Sequence, residues 1–141
     1  MEDRYKVKIF VDLLLKKDEK VLLGLRKNRK SYSNMWDLPG GHLEKDEDIF
    51  EAMIREAKEE IGIDIKRKGL EIVHIRHSIK KDALNFVFIV NKYENEVVNN
   101  EPDLCEELKW FDIDDLPKNI IPKIEKEIKD IKNNIKYSFD K

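Results

Sequence analysis

Apolar positions fall in short blocks along the chain, first with strand-like density and then with helical spacing. Tyr5 to Lys16 and Val21 to Leu25 are rich in Val, Ile, Leu and Phe, and Lys17, Asp18 and Glu19 form a polar break between them. Two such runs around so short a break predict a β-hairpin. Residues 27–34 (KNRKSYSN) are a basic, polar loop. Trp36 to Leu38 reads as a short strand or bulge, after which Pro39, Gly40 and Gly41 turn the chain sharply. A helix is predicted from about Asp48 to Ile61, capped by Asp46 or Asp48 and stopped by Gly62. Two strands follow, about Leu70 to Ser78 and Leu84 to Lys92. The second alternates only weakly, as a strand covered on both faces does. Glu94 to Glu107 carries Pro102 and reads as a loop, Leu108 to Phe111 as a short strand, and Asp112 to Pro117 as a turn. Ile124, Ile128, Ile131 and Ile135 make one stripe on a last helix from about Ile120 to Tyr137. That stripe covers one side of the sheet or supplies a dimer contact. Strands, helix, strands, helix predict an α/β fold with a mixed sheet between helices. No repeat, linker or shift of composition divides residues 1–141, so one domain is expected.

Charge and composition remove several function classes. Lys+Arg number 28 and Asp+Glu 30, for a net charge of -2; without a basic excess, DNA or RNA is not the expected main partner. Cys105 is the single cysteine and cannot form an internal disulfide. The start MEDRYKVKIF lacks the apolar core of a secretory signal, and no apolar run reaches the length of a membrane span. A cytoplasmic protein, monomer or homodimer, is the expectation.

The chemistry is concentrated in Gly41 to Ile63. With Glu56 at zero on a helical wheel, Glu60 falls at roughly 40° and Glu59 at roughly −60°. Phe50, Ile54, Ala57 and Ile61 fall in a separate sector, between about 100° and 160°, and form the predicted anchor against the sheet. The bland reading is a solvated, glutamate-rich helix in which Glu56 and Glu60 are an i,i+4 like-charge pair. The upstream glycines favour another reading. A backbone carbonyl of the Pro39-Gly40-Gly41 turn, with two or three glutamates, offers the all-oxygen shell of a hard cation such as Mg²⁺. Arg55 either pairs in solvent or forks onto Glu47 and ties the loop to the helix.

These residues resemble the box of the Nudix hydrolases, G-x5-E-x7-R-E-U-x-E-E-x-G-U with U aliphatic. Gly41, Glu47, Arg55, Glu56, Ala57, Glu59, Glu60, Gly62 and Ile63 fill every defining position. Seven fixed identities at fixed spacing arise by chance roughly once in 10⁸ start points. The resemblance implies an α/β/α sandwich whose loop-helix-loop holds Mg²⁺, or Mn²⁺. It implies the Gly40 carbonyl, Glu56, Glu59 and Glu60 as ligands, and Glu47 tied to Arg55. It also implies a further carboxylate from a later loop, for which Glu101, Glu106 and Glu107 are the candidates. Trp36 to Glu44 (WDLPGGHLE) and Asn100 to Phe111 are similar to MutT-like nucleoside triphosphate pyrophosphatases, particularly the nucleotide diphosphatase 15 group. Asp46 stands where those proteins carry glycine, which requires an Asp able to adopt the left-handed conformation. The proline that ADP-ribose pyrophosphatases place about fifteen residues past the box has no counterpart near Ser78.

The activity implied is metal-dependent hydrolysis of a nucleoside triphosphate, normal, modified or oxidised, to a nucleoside monophosphate and pyrophosphate. A glutamate takes the water proton; Glu59 either bridges metals or acts as this base. ADP-ribose, a nucleotide sugar, a dinucleotide polyphosphate and a capped RNA end are the rival substrates. A non-catalytic nucleotide-binding module is the rival class. Among Arg26, Lys27, Arg29 and Lys30, Arg26 is the favoured phosphate contact, against a solvated basic loop. Trp36 is a core ring or a base-stacking platform, and Phe86, on the same strand face as Phe88, carries the same two readings. His42, His74 and His77 lack zinc-like spacing, and Cys105 lacks an obvious catalytic histidine.

Overall fold

Alternate residues of the central strands face opposite ways, and a helix packs on each side. The structure is a computed structural model describing residues 3–140. Strands β1 (Lys8–Leu13), β2 (Lys16–Lys17), β3 (Lys20–Arg26), β4 (Trp36–Asp37) and β5 (Gly40–His42) precede helix α1 (Ile49–Ile61). Strands β6 (Asp64–Ile65), β7 (Leu70–Ser78), β8 (Ala83–Val90), β9 (Tyr93–Glu94) and β10 (Cys105–Asp112) lead to helix α2 (Pro122–Lys132) and strand β11 (Tyr137–Asp140). The larger sheet has the order β11-β7-β8-β1-β5, with β1 parallel to β8 and β11 parallel to β7. Its other pairs are antiparallel, so the sheet is mixed. A second sheet runs β10-β3-β2, with β4 also on β3. Val11, Leu13, Leu15, Leu22 and Phe88 pack with Met53, Ala57 and Ile61 of α1. Leu14, Val21, Leu23 and Val87 point the other way, toward Ile124 and Ile128 of α2. The expected α/β/α sandwich is the observed fold.

Helix α1 has the ends its sequence specifies. Asp48 Oδ1 accepts the Glu51 N–H and Glu51 Oε1 accepts the Asp48 N–H, both at 2.9 Å, a reciprocal capping box. Gly62 ends the helix at φ 72° and donates its N–H to Lys58 O. Asp48→Ala is expected to lower stability by about 1 kcal/mol, measured as a shift in the denaturation midpoint at constant slope. An unchanged midpoint would remove the cap from this account.

Four expectations need correction. The first long run does not simply fold back on the second. β1 belongs to the larger sheet, the chain crosses at Leu14 and Leu15, and only Lys16 and Lys17 pair with β3, around Asp18 at φ 56°. Gly40 and Gly41 do not turn the chain sharply; they lie in β5, paired with β1, and among the described glycines only Gly62 has positive φ. The last helix stops at Lys132, because Asn133 caps it and Asn134 turns left-handed at φ 60°. Ile135 is therefore off the helical stripe and exposed, and the following residues form β11. Finally, the buried face of α1 is wider than predicted: Ala52 and Met53 are buried with Ala57 and Ile61 and bracket Glu56 and Glu60, while Glu59 is exposed.

Smaller differences concern strand ends. β8 starts at Ala83 and ends at Val90, and β10 starts at Cys105, inside the predicted loop. That loop also contributes β9, which pairs with β6.

Candidate active site

Strand β5 aims the site. Its ladder with β1 includes Leu13 N–H to Pro39 O and Leu43 N–H to Ile9 O, so the alternate residues Gly40 and His42 turn their backbone polar groups away from β1. Both reach α1. The Gly40 N–H donates to Glu60 Oε2 at 3.0 Å, and His42 O accepts from Arg55 Nη2 at 3.0 Å. Glycine is required at both positions 40 and 41 by close approach. A Cβ on Gly40 would lie 2.1 Å from Val11 O, and one on Gly41 2.4 Å from Glu56 Oε1.

Arg55 is the hub of the loop. Its Nε and Nη2 fork onto the two oxygens of Glu47 at 3.1 and 2.7 Å. Glu47 also accepts the Glu44 N–H, which closes the turn that holds Asp46 at φ 69°. The Asp at position 46 thus adopts the left-handed conformation that glycine would otherwise supply. Arg55 Nη1 donates to Glu56 Oε1 at 2.8 Å and to Glu59 Oε2 at 3.3 Å. Hydrogen bonds from Arg55 hold the Glu47 carboxyl below the usual carboxylate range.

The opposite holds deeper in. Burial, the Glu56 carboxyl bonded to it, and the charges of Glu56, Glu101 and Asp12 push Glu60 well above the usual range. Burial and the charge of Glu56 also raise Glu101. Of the three later carboxylates, Glu101 is the one that faces α1. Glu106 pairs with Lys27, and Glu107 is exposed on β10. Side-chain exposure ranks the helix carboxylates, with Glu56 at 15% and Glu59 at 53%.

The donor chemistry fits a hard divalent cation. The facing groups are all oxygens, and the repulsion that drives Glu60 toward its neutral form is what a cation relieves. Among the described residues no three His, Cys, Asp or Glu side chains already form a finished metal cage. Arg55 supplies the counter-charge to Glu56 and Glu59 instead.

A cleft runs from these carboxylates across the sheet. Its narrow end, about 70 Å³, is lined by Gly40, Glu60, Glu101 and Cys105 with Arg26 and Arg29. It continues past Arg26, Arg29 and Asp37 into a chamber of about 360 Å³ between the sheet and the start of α2. Arg26 lines both parts, held by Asp37 Oδ2 at 3.1 Å and Ser31 O at 3.3 Å. Trp36 is 7% exposed and meets Phe111 edge to face at 4.7 Å, inside the α2-side core. Phe86 packs half-buried on the α1-side core with Phe88 and does not line the cleft. His42 stacks on Phe10, and His74 is buried between Ile135 O and Ser138 Oγ. Burial raises the Cys105 thiol, which stays protonated.

Sequence reasoning missed the chamber floor. Asp12 on β1 and Asn85 on β8 are buried and hydrogen-bonded at 2.9 Å, and Arg76 on β7 bonds Glu127 on α2 at 2.6 Å. A charged residue in the middle of an apolar strand, as in FVDLL, was the available signal.

Comparison with known proteins agrees with this geometry. The NUDIX domain model matches residues 6–131. An ADP-ribose pyrophosphatase of Methanocaldococcus jannaschii is 36% identical over 114 residues, 78% of this chain and 64% of that one, so the chain spans less than two thirds of that relative. An 8-oxo-dGTP diphosphatase of Proteus vulgaris is 30% identical over 103 residues, covering 72% of this chain and 90% of that one. Among solved structures, a MutT NUDIX hydrolase from Burkholderia pseudomallei superposes with TM-score 0.79 at 26% identity, over 88% of this chain and 97% of that one. The matched span, the complete box and the shared sandwich place the chain in the Nudix family.

Proposed function

We propose that this chain is a divalent-metal-dependent pyrophosphohydrolase acting on nucleoside diphosphates linked to a further group. Its preferred reaction is cleavage of a nucleoside triphosphate, normal or oxidised, to a nucleoside monophosphate and pyrophosphate. The observation that carries this reading is the carboxyl cluster of Glu56, Glu60 and Glu101 opening, past Arg26 and Arg29, into a chamber of about 360 Å³.

The Gly40 carbonyl, Glu56, Glu59 and Glu60 would hold Mg²⁺ or Mn²⁺, with Glu101 beside them. A bound ion there would neutralise phosphate oxygens and make the attacking water more acidic. The protein does the rest. Glu47 and Arg55 lock the loop to α1, and the Gly40 N–H fixes the Glu60 carboxylate. Glu59, the most hydrated of the three, either completes that ligand set or takes a proton from water, directly or through a second water. Arg55 Nη1 holds Glu56 and Glu59 where a cation would otherwise neutralise them. Arg26 and Arg29, at the junction, grip the phosphate chain. Trp36 and Phe86 lie in the core and drop out of the proposed substrate contacts.

ADP-ribose remains the second reading, because a 36%-identical relative carries that activity in its name. A panel of nucleoside triphosphates and diphosphate conjugates with Mg²⁺, scored by product, separates the two. Free pyrophosphate from a triphosphate is expected. A nucleoside monophosphate plus a sugar phosphate from ADP-ribose alone would transfer the assignment to that substrate, and no hydrolysis of any member would end it. No helix among the described residues is long and apolar enough to cross a membrane. We read the protein as cytoplasmic, a monomer or homodimer, with a nucleotide rather than a nucleic acid as its partner.

A further inference from the structure

The chamber beyond the carboxylates is more cationic than a nucleobase requires. Two ammonium groups share one ring: Lys81 Nζ lies 4.9 Å and Lys123 Nζ 5.2 Å from the centroid of Tyr32. Lys81 also donates to the Tyr32 hydroxyl at 3.4 Å. The ring's negative face attracts each cation, but the two cations repel each other. Arg76 stands in the wall behind them, 4% exposed. Its Nε is committed to Glu127 Oε2, and its Nη2 is buried without a partner.

Two carboxylates, Asp12 and Asp37, line the chamber, and Glu127 and, at 3.9 Å, Asp140 face Arg76. Asp37 is taken by Arg26, and burial together with the charges of Glu127 and Asp37 pushes the Asp12 carboxyl well up, toward its neutral form. Among the described residues, Lys8, Arg29, Lys81 and Lys123 form no ion pair, although all four line the chamber. Burial and the nearby charges of Arg76 and Lys81 lower the Lys123 ammonium, as expected for a cation held among cations. These converge on a concave site with a buried guanidinium behind it.

We propose that the far end of the chamber is a subsite for a phosphate monoester, bound by Lys81 and Lys123 with Arg76 as the buried charge behind them and Tyr32 as the platform. The subsite rests on the pyrophosphohydrolase reading only for its relation to the scissile diphosphate. The anion is either a second phosphate carried by the substrate, remote from the diphosphate, or free inorganic phosphate.

The test has a binding arm and a turnover arm. In the binding arm, inorganic phosphate is titrated without divalent metal at constant ionic strength, followed by thermal shift and calorimetry. Saturable binding is expected for the parent protein and for Lys16→Ala/Lys17→Ala, a pair on the exposed β2. At least tenfold weaker binding is expected for Lys81→Ala/Lys123→Ala. In the turnover arm, the best-cleaved member of the hydrolysis panel is compared with the same molecule bearing a phosphate monoester on a ribose hydroxyl. A tenfold lower KM for the phosphorylated form, lost in the Lys81/Lys123 double variant, assigns the subsite to the substrate. Phosphate binding without that preference assigns it to free phosphate. Absent phosphate binding, or binding equal in the parent and the Lys81/Lys123 variant, overturns the proposal. Because the binding arm needs no catalysis, it still decides the subsite if every member of the hydrolysis panel fails.

Discussion

Glu60→Gln is expected to leave the fold in place and to lower turnover by about 10² to 10⁴-fold. Glutamine keeps an oxygen for the Gly40 N–H, so strand β5 stays tied to α1. What it loses is the charge that a cation would use. Stability should move the other way from activity. Glu60 is raised by burial and by its carboxyl neighbours, so above the ordinary carboxylate range the folded chain holds a proton that the unfolded chain has released. Such a group contributes stability at low pH that is lost as pH rises through the folded value. At neutral pH the metal-free Gln variant should therefore be at least as stable as the parent, while gaining less from added Mg²⁺. Circular dichroism, melting with and without Mg²⁺, and pyrophosphate release together read this out. Near-normal turnover would sink the assignment of Glu60.

The adjacent glycines should fail in different ways. A Cβ on Gly40 would lie 2.1 Å from Val11 O and 2.9 Å from Asp12 Cα, both backbone atoms of β1. Because β1 pairs with β5 on one side and β8 on the other, it has no room to yield. Gly40→Ala should cost about 3 kcal/mol or more. On Gly41 the three nearest atoms all belong to the Glu56 carboxylate, the movable end of a side chain. Gly41→Ala should thus keep stability to within about 1 kcal/mol. Displacing Glu56 by an ångström or more should lower kcat about 100-fold. Denaturant midpoints and initial rates on both variants test the contrast. Equal stability losses would show that β5 is held differently from this account.

Local signals were the readable part of the chain. Asp48, Glu51 and Gly62 act within a single turn of helix, so both ends of α1 were legible. The box was legible for the same reason, since its spacing is a helical spacing. Periodicity carries no information about which partner a strand chooses, and so β1 looked like half of a hairpin while it runs between two parallel and antiparallel neighbours. The isoleucine stripe continued in register to Ile135, although Asn134 had already left the helix without a glycine to mark the break. The chamber was illegible for a deeper reason. Asp12, Asn85, Arg76 and Lys123 come from three strands and a helix, and only the assembled sheet brings them to one cavity. The full width of the buried face of α1 was missed because Ala52, a small residue beside Glu56 on the wheel, gave little hydrophobic signal while allowing the backbone to come close.

Strand β11 has a bearing on how the molecule is made. It lies parallel to β7 through the register Tyr137 with Ile75, and His74 joins the two regions through partners 61 and 64 residues away. β11 follows every other strand and both helices in the chain, so its pairing with β7 waits until those elements have been made. During synthesis the carboxylate cluster, the junction arginines and the β7–β8 hairpin have all left the ribosome before these final residues emerge. Until then β7 is an uncovered rim with a histidine awaiting its acceptors. Until residues 137–140 emerge, the nascent chain offers the β7 edge to pairing with a neighbouring chain.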